Sequence, residues 1–113
     1  MACLFCRIVS GEIPAQVVYR DPEVIAFRDI NPQAPVHLLI VPTRHVESIS
    51  EVGSADAPLL GQTIEVANDL ARQEGIAESG YRIVINCGPN AGQTVAHLHF
   101  HLLGGRPMSW PPG

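Results

Sequence analysis

Lysine is absent from this chain of 113 residues, in which all seven basic residues are arginines. The absence excludes a Walker-type lysine that binds phosphate and any mechanism that forms a Schiff base on lysine. Carboxylates are absent from the C-terminal third, since all eleven acidic residues lie at or before Glu78. The net charge of −4 argues against binding of a long nucleic acid. The acid-free third suits a small anion, or it simply reflects strand-rich sequence.

Long apolar runs are also missing, because no stretch approaches the roughly 20 residues of a membrane-spanning helix. The N-terminus has no basic segment before its short apolar stretch, so it is a poor signal peptide. Three cysteines are an odd number, which argues against a disulfide framework, and Cys87 is expected to be a small buried hydrophobe. We therefore expect a cytoplasmic protein that contacts no membrane. With 46% hydrophobic residues it can form a core, and its length suits one domain over 1–113.

Turn residues and apolar periodicity predict an α+β domain built on an antiparallel sheet of about five strands. A short N-terminal helix is predicted over 4–10, before Gly11. One long helix is predicted to begin near Asp56 and to end at Gly75, because its apolar residues recur every three to four positions. The predicted strands are 16–19, 24–28, 37–41, 81–86 and 96–103.

The strongest chemical signal is AHLHFHLL at 96–103, where histidines alternate with apolar residues. Side chains two residues apart on a strand share a face, so His97, His99 and His101 should line one side while the apolar residues face the core. Imidazole serves as nucleophile and as acid near neutral pH, which makes this row a candidate catalytic site. No carboxylate lies on the strand, so a nucleophilic histidine would be oriented by a backbone carbonyl. The preceding loop, 88–94, offers neutral donors that suit phosphate oxygens.

The stretch GQTVAHLHFHLLGGRPM resembles the histidine triad (HIT) signature. The resemblance extends over essentially the whole chain, and GEIPA, DINPQAP and GGRPM are similar to the Hint branch, the purine nucleoside phosphoramidases. It implies a HIT-like fold, usually a homodimer, and a hydrolase that cleaves the P–N bond of AMP or GMP conjugates without a catalytic cofactor. Two alternatives stay open within the family: hydrolysis of dinucleoside polyphosphates, and a nucleotide-binding adaptor with little turnover.

The resemblance also implies roles for single residues. His99, in the middle of the triad, is the expected nucleophile and would form a nucleotidyl-histidine intermediate. His101 is expected to contact the phosphate or the bridging atom, and Asp29 matches the acid that binds ribose. The other implied contacts are with the phosphate, at Asn86, Gln93 and Thr94, and with the base, at Leu4, Phe5, Ile8, Phe27 and Ile30.

The pair Cys3 and Cys6 admits three interpretations: a redox dithiol, two inert thiols, or half of a zinc site. A redox pair normally follows a strand, whereas this one opens the chain. Zinc needs two further ligands, and His45 and His97 are the candidates. Some bacterial members of the family that it resembles bind zinc in this way, while members without the cysteines pair the two histidines by a hydrogen bond. We expect a structural zinc on these four residues, and His37 is expected to be structural or solvent-facing.

A different class of enzyme would use the three triad histidines as ligands of a catalytic zinc. Imidazoles at the first and fifth positions of one strand are about 13 Å apart, which is too far for one ion to be shared. The sequence therefore favours histidine as nucleophile over histidine as metal ligand.

Overall fold

The computed structural model describes residues 3–113 of the chain. In chain order the elements are α1 (Leu4–Val9), β1 (Val17–Arg20), β2 (Val24–Arg28), β3 (Val36–Pro42), α2 (Ala57–Gln73), β4 (Tyr81–Val84) and β5 (Phe100–Gly104). The strands form one antiparallel sheet in the order β1-β2-β3-β5-β4. The predicted α+β architecture, with five strands, one long helix and a short N-terminal helix, is confirmed. None of the described helices is long and apolar enough to cross a membrane.

Strand alternation divides the buried side chains between two faces of the sheet. One face packs against the apolar stripe of α2, and its core includes Val24, Ala26, Leu38, Ile40, Leu98, Phe100, Leu102, Val66, Ala67 and Leu70. The other face packs against α1 in a smaller cluster of Phe5, Ile8, Ile25, Phe27, Leu39 and Val41. The expectation that the apolar residues between the triad histidines face the core is therefore confirmed, because Leu98, Phe100 and Leu102 are all buried.

The long helix follows its sequence signals closely. Pro58 lies in the first turn, where a backbone N–H would have no hydrogen-bond partner within the helix, so its absence costs nothing. Gly75 adopts φ +75° two residues after the last helical residue. α1 likewise ends just before Gly11, whose φ is +85°. Both helices thus stop where a residue without a Cβ permits a left-handed turn.

Two strands are shorter than the sequence predicts. β5 begins only at Phe100, although a strand was predicted over 96–103. The preceding residues are held by the segment after β3, since the Leu98 backbone N–H donates to the Val46 carbonyl at 2.6 Å. β4 ends at Val84, two residues before the end of the strand predicted over 81–86. The prediction that Cys87 is buried is wrong, because its side chain is exposed.

Candidate active site and metal site

An apolar cleft of about 260 Å³ lies on the sheet face that α1 covers. This volume is close to the roughly 300 Å³ at which small-molecule sites begin. Every residue predicted to contact base or ribose lines it: Leu4, Phe5, Ile8, Phe27, Asp29 and Ile30. Thr94, His99 and His101 line the same cleft, so the structure joins the predicted base, ribose and phosphate regions into one site.

Further lining residues were not predicted, namely Ile13, Pro14, Ala15, Arg28, Leu39 and Val95. Ile13 to Ala15 belong to the connection between α1 and β1, which in the sequence resembles an ordinary loop. Leu39 is a core residue of β3 whose side chain faces the cleft only because β3 pairs with β5, where Leu39 lies opposite His101. Local periodicity carries no information about that pairing.

His99 lies buried at the cleft wall, with 5% of its surface exposed. Its Nδ1 lies 2.7 Å from the carbonyl oxygen of His97. A carbonyl only accepts, so Nδ1 carries the proton and donates it, and the neutral ring keeps its lone pair on Nε2. The expectation that a backbone carbonyl orients this histidine is confirmed. Phe5 packs edge-on against the ring with a centroid separation of 5.1 Å, which restricts its orientation further.

His101 lies beside His99, with ring centroids 5.0 Å apart. Its Nδ1 is 3.0 Å from Nε2 of His37, a buried histidine of β3. Burial, with the neighbouring His99 and His37, lowers the pKa of His101 to about 4. Burial also lowers the pKa of His37, although Asp29 opposes the shift. His37 is therefore not solvent-facing, which was one of the two alternatives expected for it, and sequence reasoning did not connect it with His101.

Asp29 directly follows β2 and holds its own loop. Its Oδ1 accepts the Asn31 backbone N–H at 2.8 Å, and its Oδ2 lies 3.4 Å from His37 Nε2. The side chain is 19% exposed and lines the cleft. A partly exposed carboxylate at the wall of an apolar cleft suits recognition of paired hydroxyls.

The residues predicted for the phosphate are less uniformly placed. Thr94 lines the cleft. The Gln93 side chain accepts the Gly88 N–H at 3.1 Å and donates to the carbonyls of Glu47, at 2.7 Å, and Val95, at 3.0 Å. In this conformation Gln93 shapes the loop, and a phosphate contact would require it to exchange one of these bonds. Asn86 is half-buried and is not among the residues that line the cleft.

A second cluster brings together the four predicted zinc ligands. Cys3 Sγ lies 3.3 Å from His97 Nδ1, and Cys6 Sγ lies 3.3 Å from His45 Nδ1 and 3.5 Å from His97 Nδ1. The two Nδ1 atoms are 3.2 Å apart. Bonds of about 2.3 Å to sulfur and 2.0–2.1 Å to nitrogen, at tetrahedral angles, separate ligand atoms by about 3.3–3.8 Å. The cluster therefore has nearly the dimensions of a tetrahedral zinc site.

The protonation of His97 also fits a metal ligand. Its Nε2 lies 2.8 Å from the Pro42 carbonyl, so Nε2 carries the proton and Nδ1 presents a lone pair to the cysteines. Cys3 is the N-cap of α1, and its sulfur accepts the Cys6 backbone N–H at 3.1 Å. The N-terminus of α1 thus fixes the position of Cys3 Sγ, and the hydrogen bond to Pro42 fixes the orientation of His97 Nδ1.

The two clusters exclude a catalytic ion shared by the triad. The His97 ring faces the cysteines, whereas the His101 ring faces His37, so the triad histidines do not converge on one point. Cys87 belongs to neither cluster. Hydrogen bonds from Ser50 and Ser48 lower the pKa of its exposed thiol.

Comparison with known proteins agrees with this geometry. A family model described as HIT domain matches residues 10–108. The chain is similar to a purine nucleoside phosphoramidase of Escherichia coli K12, at 49% identity over 93% of this chain and 88% of that protein. It is similar to a 14 kDa zinc-binding protein of Zea mays, at 50% identity over 97% and 87%. It also resembles the crystal structure of a HIT family hydrolase from Legionella pneumophila Philadelphia 1, with a TM-score of 0.98, 54% identity and coverage of 99% and 100%.

Proposed function

The chain belongs to the HIT domain family and is one of its hydrolases, and from this premise we propose that it hydrolyses purine nucleoside phosphoramidates. One observation carries the proposal: His99 presents an unprotonated Nε2 at the wall of the cleft that Asp29 and His101 also line. The cleft thereby combines a nucleophile, a ring beside it and a carboxylate for a sugar. Phosphoramidase activity in a similar protein supports the choice of the P–N bond.

His99 is the proposed nucleophile. Its Nε2 forms a bond to the α-phosphorus while the P–N bond breaks, and the departing nitrogen keeps the bonding pair and takes up one proton from water. The nucleotidyl-histidine is then hydrolysed, so the whole reaction adds one water across the P–N bond. The His97 carbonyl remains bonded to Nδ1–H as positive charge develops on the attached ring, which places a negative dipole where that charge appears.

The remaining contacts follow from the lining of the cleft. Asp29 Oδ2 is proposed to accept hydrogen bonds from the ribose hydroxyls. The base is proposed to lie among Leu4, Phe5, Ile8, Phe27 and Ile30, and the phosphate to face Thr94 and His101. Asn86 and Gln93 stay proposed phosphate contacts on the strength of their match to the family pattern. Phe5 packs on both Phe27 and His99, so the base wall and the nucleophile share one side chain.

Turnover tests the proposal directly. The purified chain should hydrolyse adenosine phosphoramidate faster than diadenosine polyphosphates, and His99→Ala should lose turnover by several powers of ten while still binding adenosine monophosphate. A denaturing mass spectrum during turnover should show a nucleotide adduct in the wild type and none in His99→Ala. His99→Ala activity within tenfold of wild type would disprove the nucleophile. Binding of nucleotide without turnover by the wild type would favour an adaptor.

We also propose that Cys3, Cys6, His45 and His97 hold one structural zinc per chain. The nearly tetrahedral ligand distances support this, and a similar protein is named as zinc-binding. Two thiolates and two imidazoles form a closed site that leaves no position for substrate, so the ion would tie α1 to the triad segment without entering the reaction.

Elemental analysis of protein purified without chelator and without a histidine tag tests the zinc. One zinc per chain is expected in the wild type and none in Cys3→Ser/Cys6→Ser. Cys87→Ser is the matched control, because this exposed thiol lies outside the cluster, and it should keep its zinc. A wild type without zinc, or a double variant that retains it, would return His45 and His97 to a simple hydrogen-bonded pair.

Three further expectations stay predictions: one domain over 1–113, a homodimer, and a cytoplasmic location. The homodimer is proposed on family resemblance, and sedimentation equilibrium of the purified chain tests it.

A further inference from the structure

The described residues contain two clusters whose donor atoms lie close enough together to chelate an ion. The first is the cysteine and histidine cluster described above. The second consists of Asp29, His37 and His101, and two of its members, Asp29 and His101, line the cleft. The two differ in where the backbone places the ring protons, and this difference separates their roles.

In the second cluster, the backbone N–H of Gln33 donates to Nδ1 of His37 at 3.0 Å. Because Nδ1 accepts, the proton of the neutral His37 ring must lie on Nε2. That Nε2 lies 3.0 Å from His101 Nδ1, which must accept in turn. The proton of the neutral His101 ring is then left on Nε2. One backbone N–H thus determines the tautomers of two rings in series.

This arrangement opposes a metal ion. An ion bound at His37 Nε2 would have to displace the proton that lies between the two rings, and Gln33 already occupies the other nitrogen. At His97 the situation is reversed, since the Pro42 carbonyl takes the proton on Nε2 and leaves Nδ1 free. The nitrogen that His37 turns toward its own cluster, Nε2, therefore carries a proton, whereas the nitrogen that His97 turns toward the cysteines, Nδ1, presents a lone pair.

We propose that His37 is a positioning residue that fixes His101 as a neutral ring with its proton on Nε2, so that His101 acts on the phosphoryl group as a hydrogen-bond donor. This inference rests on the proposed function of the cleft. A neutral donor stabilises charge that develops on a phosphoryl oxygen or on the departing nitrogen, and it does not itself become an anion. Lowered pKa values of both rings agree with neutral rings near pH 7.

The groups around His37 hold it in this state. Asp29 Oδ2 lies 3.4 Å from His37 Nε2, so its negative charge favours a proton on that nitrogen. Gln33 is itself braced, because the Arg106 guanidinium donates to its carbonyl at 3.0 Å. The His37 ring is 4% exposed, so water does not compete for its nitrogens.

Long-range ¹H–¹⁵N correlation spectra of the His101 ring test the tautomer without any substrate. In the wild type, Nε2 should show the shift of a protonated nitrogen and Nδ1 that of an unprotonated one. His37→Phe keeps an aromatic ring but removes the donor, so the fixed tautomer should be lost. Val36→Ala, a neighbour on the same strand, is the matched control for packing and should leave the His101 spectrum unchanged.

Kinetics with adenosine phosphoramidate give the second readout. Loss of one charge-stabilising donor should lower kcat in His37→Phe by about 10- to 100-fold, with KM changed less than threefold. His37→Gln, whose amide N–H can reach His101 Nδ1, should restore kcat to within threefold of wild type.

A His101 ring protonated on Nδ1 in the wild type would overturn the inference, and this result needs no variant to fold. A kcat for His37→Phe within twofold of wild type, or a His37→Gln variant as slow as His37→Phe, would overturn it as well. Absence of phosphoramidate turnover in the wild type would instead refute the proposed function, while the spectrum would still decide the tautomer.

Discussion

Asp29→Asn tests the contact that the cleft is proposed to offer to a ribose. The asparagine keeps an oxygen for the Asn31 backbone N–H, so the loop after β2 should retain its shape. At the second position an N–H replaces the carboxylate Oδ2, which is the oxygen proposed to bind the ribose. The substitution therefore removes a charged acceptor, whereas Asp29→Ala would also release the loop.

The magnitude follows from this single loss. Hydrogen bonds to a charged group contribute about 1.5–3 kcal/mol, which corresponds to a roughly 10- to 150-fold increase in the Kd for adenosine monophosphate. A ligand without the two hydroxyls, 2′,3′-dideoxyadenosine monophosphate, cannot make the contact and should bind wild type and variant almost equally. The loss should appear in binding more than in the rate of the chemical step.

Isothermal titration calorimetry measures both ligands against both proteins. Asp69→Asn is the control, because Asp69 is an exposed residue of α2 that pairs with Arg72 at 2.6 Å, and its substitution should not change either Kd. Thermal melting of each variant verifies folding. If Asp29→Asn weakens the dideoxy ligand as much as the ribonucleotide, Asp29 acts on the fold or on His37, and the assignment of ribose binding is wrong.

Three further predictions concern stability. Removal of zinc should lower Tm by about 10 °C, because free zinc at about 100 times its Kd stabilises the fold by about 2.7 kcal/mol. Turnover should fall less than stability. Calorimetry with and without chelator measures the change in Tm, and an unchanged Tm would contradict the prediction. The pKa of His101, at about 4, lies below the unfolded value of about 6.5, so the unfolded chain binds more protons between these values and stability rises with pH there. When the pH falls from 7 to 5, His101 alone should therefore contribute about 2 kcal/mol to the loss of stability in urea unfolding, and the loss should be smaller by about that amount in His101→Phe; an equal loss in both proteins would refute the assignment. Gly104→Ala should destabilise by about 1–3 kcal/mol, because a Cβ there would lie 2.5 Å from Ile76 Cδ1 in the core, and a neutral effect in urea unfolding would show that Ile76 moves aside.

Much of the fold was predictable because its signals are local. The period of α2, the proline in its first turn and the glycine after its end are all written within one segment. The length of β5 was not predictable in the same way. Residues 96–99 alternate like a strand, but they are held by the segment after β3 and not by a neighbouring strand. A pattern of side chains cannot show which backbone partner a residue finds.

In the candidate site, too, the residues with a local sequence signal were predictable and the residues without one were not. The triad was visible because three histidines at alternate positions of one segment are unlike packing, and the zinc cluster because two cysteines lie three residues apart. His37 gave no such signal. It reaches His101 because β3 and β5 are neighbours and because Gln33 donates across a turn to its ring. His37 and His101 lie 64 residues apart, and the sequence of β3 alone does not show that this strand pairs with β5.

Backbone carbonyls fix the ring protons of His97 and His99 and thereby permit the separate roles proposed for these two residues. The Pro42 carbonyl takes the proton of His97 on Nε2, which leaves Nδ1 for a metal. The His97 carbonyl takes the proton of His99 on Nδ1, which leaves Nε2 for attack on phosphorus. In the proposed function, His97 would therefore serve the metal site through its side chain and the nucleophile through its main chain. A substitution at His97 should remove the proposed metal ligand and keep the carbonyl that orients His99, so the two proposed sites are adjacent in the chain but chemically separable.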